Sequence, residues 1–239
     1  MVSLTSPGPA WINDDERMLR FMFVGDSMTI GSAGEHTWRH RMWHHLRATG
    51  TDCAVVGPRT ALHGGGHDYA DPDFPQHHLA GWGEGWVHMA PVIGETLTAT
   101  GADTLLISLG LIDLGFYTNA EQTAENVRRF VTAARTANPA VRMVVLPVIP
   151  NVRAESDAPF AAQVAHFNTL LGKAVADLDD SRSPLLAASV PPSYDIHRDT
   201  YDGTHPNASG EHKLAAAFAD ALHQAWGVGG PYRAPAPVA

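Results

Sequence analysis

Phe21-Met22-Phe23-Val24-Gly25-Asp26-Ser27-Met28-Thr29-Ile30-Gly31 is the stretch around which this chain is organised. An apolar run stops abruptly at Gly-Asp-Ser and opens into a polar segment. A buried strand that ends there delivers Ser27 to the C-terminal edge of a sheet, where open α/β sheets place their chemistry. A serine by itself is usually a capping or solvent residue. Ser27 gains weight from the far end of the chain, where Asp202-Gly203-Thr204-His205-Pro206 supplies an Asp and a His three residues apart. Ser, His and Asp are the parts that activate a hydroxyl: His removes the proton, and Asp fixes the tautomer and steadies the imidazolium.

Outward from that stretch, strands and helices alternate. Leu19 to Val24 reads as the first strand, with the nucleophile loop from Gly25 to His36. A helix is expected from about Thr37 to Ala48, and a strand from Asp52 to Val56, stopped by Gly57-Pro58. Residues 58–85 are dense in Gly, His, Asp and Pro and lack periodicity; a loop of that length in a compact domain points to a substrate-facing role. A helix over Pro91–Thr100 precedes the apolar strand Asp103–Leu109. Then come a helix over Ala120–Ala137, a strand over Val141–Val148, a helix over Pro159–Leu178 and a strand over Pro184–Val190. After the loop 191–206, Asn207 is placed to cap a last helix reaching Trp226. This alternation predicts one α/β domain over residues 19–228, a parallel sheet with helices on both faces. Residues 1–18 read as an irregular lead-in, and the Pro/Ala-rich end, 229–239, as a disordered tail.

The two terminal motifs together resemble the SGNH/GDSL hydrolase family. Gly25-Asp26-Ser27 is similar to its first block, and Asp202-x-x-His205-Pro206 to its last. The resemblance implies a flavodoxin-like three-layer α/β/α fold with a five-stranded parallel sheet in the order 2-1-3-4-5. It implies Ser27 as nucleophile, His205 as base and Asp202 as its orienting group. For the oxyanion it implies the Ser27 N–H and a glycine N–H, for which Gly81 in His78-Leu79-Ala80-Gly81-Trp82 is the match; Gly64, Gly65 and Gly66 compete. The family's third block, Gly-x-Asn-Asp, corresponds to Gly110-Leu111-Ile112-Asp113. Ile112 stands where the family has an amide donor, a change worth about 2.7–4 kcal/mol of transition-state stabilisation where such donors have been removed. Asn119 and Asn151 are alternative donors from nearby loops. Asp26 reads as support for the elbow.

Composition narrows the partners. With 239 residues, 44% of them hydrophobic, the chain can bury a full core. A formal net charge of −9 argues against nucleic acid and anionic membranes as partners. The single cysteine, Cys53, excludes an intrachain disulfide and reads as a small core residue. No basic segment followed by an apolar one precedes Arg20, and no stretch has the length of a membrane span, so the expectation is a cytoplasmic protein. Among the fourteen histidines, His36, His40 and His44 repeat at helical spacing, while His63, His67, His77 and His78 lie in the long loop. A metal set and a solvated face are the two readings of this pattern; the self-sufficient triad favours no cofactor and no metal. Trp82, Trp86 and Phe116 are candidates for an apolar pocket or for ordinary packing, and Trp82 and Ile112 are taken as substrate-facing.

The expected activity is hydrolysis of a small-molecule ester with a small or medium acyl group through an acyl-enzyme on Ser27. Two alternatives stand beside it: an acyltransferase or cyclase using the same acyl-enzyme, and a non-catalytic binding domain on the same fold.

Overall fold

The computed structural model describes residues 18–234. Along the chain these form β1 (Leu19–Gly25), α1 (Ser27–Ile30), α2 (Thr37–Ala48), β2 (Cys53–Val55), β3 (Leu79–Ala80), α3 (Trp86–Met89) and α4 (Ile93–Thr100). Next come β4 (Thr104–Ser108), a π-helical turn (Asp113–Tyr117), α5 (Ala120–Ala137), β5 (Arg142–Leu146), α6 (Val152–Ser156), α7 (Ala158–Asp177), β6 (Leu185–Ala187), α8 (Ile196–Asp199) and α9 (Ala208–Trp226).

The sheet is parallel, in the order β2-β1-β4-β5-β6, which is the expected flavodoxin-like order. It carries one strand more than expected. β2 pairs with Leu19–Phe21 of β1 and stops, and β3 pairs on its own with Val24 and Gly25. Between them the chain makes an excursion whose neck is closed by an antiparallel bridge from Arg59 to His78. Gly57 stands at this neck because a Cβ there would lie only 2.5 Å from the His78 amide nitrogen. The expected loop 58–85 is therefore tied off near residue 78, and its last part is strand and turn.

Strand alternation sorts the core into two faces. Met22, Val24, Leu105, Ile107, Met143 and Val145 pack with Trp86, Ile93, Phe130 and Phe167, from α3, α4, α5 and α7. Phe21, Phe23, Leu106, Val144 and Leu146 pack with Trp38, Met42, Leu46, Leu214 and Phe218, from α2 and α9. Each such side chain contributes about 1.5–3 kcal/mol by leaving water, so helices on both faces follow from strands apolar on both. Asn207 accepts from the Ser209 and Gly210 amides and starts α9, as expected. Asn119 and Asp157 cap α5 and α7 in the same way.

Of the lead-in, residues 1–17 lie outside the described residues, as do 235–239 of the tail. The described part of the tail is held: the Gly230 carbonyl lies 3.0 Å from His45 Nε2, and the Tyr232 hydroxyl 2.7 Å from His212 Nδ1. Among the described residues no helix is long and apolar enough to cross a membrane.

Candidate active site

β1 delivers Ser27 to the C-terminal sheet edge. A Cβ at Gly25 would overlap the Thr29 side chain, so only glycine lets the strand turn this tightly into α1. Asp26 caps that turn, accepting from the Met28 amide at 3.0 Å. Behind it sits Arg39, a fully buried cation that donates from Nε to the Thr29 carbonyl at 2.6 Å and from Nη2 to the Ile30 carbonyl at 3.0 Å. These carbonyls close α1, so Arg39 satisfies acceptors that a helix end leaves open. Ser27 itself is 7% exposed.

The loop after α8 brings the other two groups. A bridge between Thr200 and Pro206 closes it, and the Tyr201 amide donates to the His205 carbonyl at 3.1 Å. Asp202 Oδ1 accepts from the Thr204 and His205 amides at 2.9 and 2.7 Å. Its Oδ2 lies 2.6 Å from His205 Nδ1, and His205 Nε2 lies 2.9 Å from Ser27 Oγ. A carboxylate only accepts, so Nδ1 carries the proton and Nε2 presents its lone pair to the serine hydroxyl. Partial burial opposes ionisation of Asp202. The bonds from His205 and the two amides outweigh it and hold the carboxyl below its ordinary range.

The oxyanion side departs from expectation in part. Ser27 opens α1, so its N–H is among those a helix start leaves without an intrahelical acceptor. The Gly81 N–H, however, donates to the Gly25 carbonyl at 3.2 Å, extending the β1–β3 pairing. Gly64 and Gly65 have open space where a side chain would be, and Gly66 meets only the Asp68 carboxylate at 3.7 Å. Ile112 is half-buried and heads the π-helical turn, offering no donor. The two alternative amides are engaged as caps. Asn119 accepts from Gln122 N, and Asn151 accepts from Ala154 N while its Nδ2 donates to the Ile149 carbonyl at 3.3 Å. Asp113 is buried and accepts from the Trp86 and Val87 amides at 2.8 and 3.0 Å, anchoring the start of α3.

The aromatic candidates separate. Trp86 is fully buried against Phe130 and belongs to the core. Trp82 is 44% exposed and lies beside His205, ring centroids 5.0 Å apart and planes 19° from parallel. On the same imidazole lies Tyr201, at 5.7 Å and 13°. His63 reaches Trp82 from the excursion, at 4.1 Å and 24°. Phe116 is 73% exposed on the π-helical turn.

His36, His40 and His44 do lie along one helix face, with neighbouring centroids 4.5 and 6.1 Å apart. His40 Nε2 is 2.9 Å from Asp71, and among the described residues no group of three or more His, Cys, Asp or Glu is arranged to hold a metal ion. Cys53 is half-buried, and burial pushes its thiol up to about 11, which keeps it protonated at neutral pH. Three residues that organise the site had little signal in the sequence. Arg39 reads as an ordinary surface charge without knowledge of its partners, and Asp113, matched to the third block, carried no sign that it would hold the start of α3. His78, one of four loop histidines, is buried, which pushes it down to about 3. Its Nδ1 accepts from Ala80 N and its Nε2 donates to the Ala61 carbonyl, tying the excursion to β3.

A strand-borne serine, a histidine and an aspartate thus stand in relay at the edge of a flavodoxin-like sheet. The model of the GDSL-like lipase/acylhydrolase family matches residues 23–213, and the chain belongs to this family of SGNH-type ester hydrolases. Among solved structures, a carbohydrate esterase of family 3 from Talaromyces cellulolyticus shares 25% identity at a TM-score of 0.74, over 87% of this chain and 97% of that one. A family 3 carbohydrate esterase from Clostridium thermocellum shares 20% at 0.69, over 85% and 94%. A multidomain esterase from Ruminococcus flavefaciens is 24% identical over 82% of this chain, which spans 27% of that protein's length.

Proposed function

We propose that the protein removes a small acyl group, of acetyl size, from a hydroxyl of a carbohydrate through an acyl-enzyme on Ser27. The observation that carries the mechanism is the unbroken relay from Asp202 Oδ2 to His205 to Ser27 Oγ, at 2.6 and 2.9 Å. Ser27 Oγ attacks the ester carbonyl as its proton passes to His205 Nε2. Asp202 holds the imidazolium in plane. The negative charge that develops on the carbonyl oxygen is met by the Ser27 N–H. The Gly81 N–H stays with the Gly25 carbonyl, so the Ser27 N–H is the donor this reading assigns to the oxyanion. The tetrahedral intermediate collapses, and His205 returns the proton to the leaving alcohol. Water activated by His205 then repeats the sequence on the acyl-enzyme and frees the acid.

The carbohydrate alcohol is taken from the solved relatives named above. The small acyl group is taken from the solved relatives too, which include an acetyl esterase at 24% identity. Fluorophosphonate labelling, with and without Ser27→Ala, tests the nucleophile. Acetylated xylo-oligosaccharides set against p-nitrophenyl esters of graded length, with intact-mass detection of the acyl-enzyme, test the substrate. Full turnover by Ser27→Ala, or a rate that rises with chain length, sinks the corresponding half of the proposal.

A further inference from the structure

We propose that Trp82 is a positioning residue for His205. Backed by His63, its indole keeps the imidazole plane aligned on Ser27 and supports the imidazolium that forms when the serine proton moves. The inference rests on the base role of His205 proposed above.

Three ring contacts carry it. His63 lies on Trp82, Trp82 on His205, and Tyr201 on His205, all within 24° of parallel. Trp82 is in ring contact with both imidazoles while 44% exposed. An exposed tryptophan in a turn gives up burial, and the stack supplies a reason for its place.

The base needs such support because its loop is open to solvent. The Asp202 side chain is 42% exposed, so water and salt screen its hold on the imidazolium. Aromatic faces attract a cation and are weakest for neutral imidazole, so the column favours the state that catalysis creates. It also restricts ring rotation alongside the bonds at Nδ1 and Nε2. The charged groups around the column are Asp202 on the His205 loop, Glu35 and Glu211 acting on Tyr201, and the Arg59–Glu84 pair beside Gly81. All remain when the indole is replaced, so the comparison isolates the ring. His63 comes from the excursion, so that segment contributes to catalysis through the base.

The test measures kcat, KM and the pH profile of kcat/KM for p-nitrophenyl acetate in wild type, Trp82→Leu, Trp82→Phe and His63→Leu. Trp82→Leu is expected to lose about tenfold in kcat with KM little changed. Its acid limb should move to lower pH by about half a unit, because the imidazolium has lost a partner. Trp82→Phe should restore most of both effects, and His63→Leu should show them at smaller size. A Trp82→Leu enzyme with raised KM, unchanged kcat and an unmoved acid limb would make Trp82 a substrate surface and overturn the proposal. If Trp82→Leu fails to fold by circular dichroism, the same limb in Tyr201→Leu decides. An active His205→Ala variant would refute the underlying mechanism; an inactive one beside an unmoved limb in Trp82→Leu refutes only this inference.

Discussion

The carboxyl of Asp113 bears on that of Asp26 beneath the nucleophile turn, and both side chains are wholly buried. Burial pushes Asp26 up to about 7, opposed by its bond from Met28 and assisted by the nearby Asp113 charge. Burial raises Asp113 as well, against its bonds from Val87 and Trp86. One Asp26 oxygen, Oδ2, is buried without a hydrogen-bond partner among the described residues.

Asp26 should therefore make stability depend on pH. Its carboxyl titrates at 3.8 when exposed and at about 7 when folded, so the native state binds the proton more tightly. Stability falls as pH rises through the window from about 4 to about 7, and the loss is complete above it. Asp26→Asn removes this titration, so the variant should gain on wild type across that window. Urea midpoints at pH 4.5 and 8 check it; an equal difference at both would mean that Asp26 does not titrate there.

Asp113 accepts with both oxygens, from two amides of α3. Asp113→Asn turns one acceptor into an NH₂ facing an N–H, leaving a buried donor unsatisfied. The expected cost is about 1–3 kcal/mol. Because α3 follows the Gly81–Trp82 turn, kcat should fall with stability. Denaturation that matches wild type would show that the two amides find other acceptors.

Asp202→Asn should be far more severe for activity than for stability. The amide can donate to Nδ1, which favours the tautomer whose Nε2 bears a proton and cannot take one from Ser27. Losses on the order of 10⁴-fold in kcat accompany this change in other triads. Thermal melting and esterase assays on one sample separate the effects; activity within tenfold of wild type would remove Asp202 from the relay.

Ile112→Asn addresses the departure from the family's third block. A donor pointing at the oxyanion acts in the transition state, so kcat on a short ester should rise with little change in KM. The gain is bounded by about 2.7–4 kcal/mol and should be smaller, since the side chain is half-buried at the head of the π-helical turn. If Ile112 instead contacts substrate, KM for the preferred ester rises with no gain in kcat. Unchanged constants on both short and long esters would place residue 112 outside the site.

The long elements and the relay of Ser27, His205 and Asp202 were legible because their signals are local. An apolar run ending in Gly-Asp-Ser marks β1, and Asp-x-x-His-Pro marks the loop before α9. α5 and α7 follow from helical spacing, and α9 from an asparagine cap. β3 was hidden because two residues carry no periodicity; only their register against Val24 and Gly25 makes them a strand. Arg39 was hidden for another reason. Nothing in its neighbourhood in the sequence says that a guanidinium will be buried against two helix-end carbonyls. The same holds for the Gly81 amide, whose direction depends on a strand partner 56 residues away, at Gly25.

The relay joins atoms from residues separated by 178 positions. During synthesis, Ser27 is therefore made long before His205. At roughly 5–20 residues per second the interval is roughly ten to thirty-five seconds. The turn that holds the serine rests on Arg39 from α2, while α2 packs against α9, which follows His205 directly. On the proposed mechanism a nascent chain thus carries a serine with no proton acceptor until translation has passed α9 and that helix has docked.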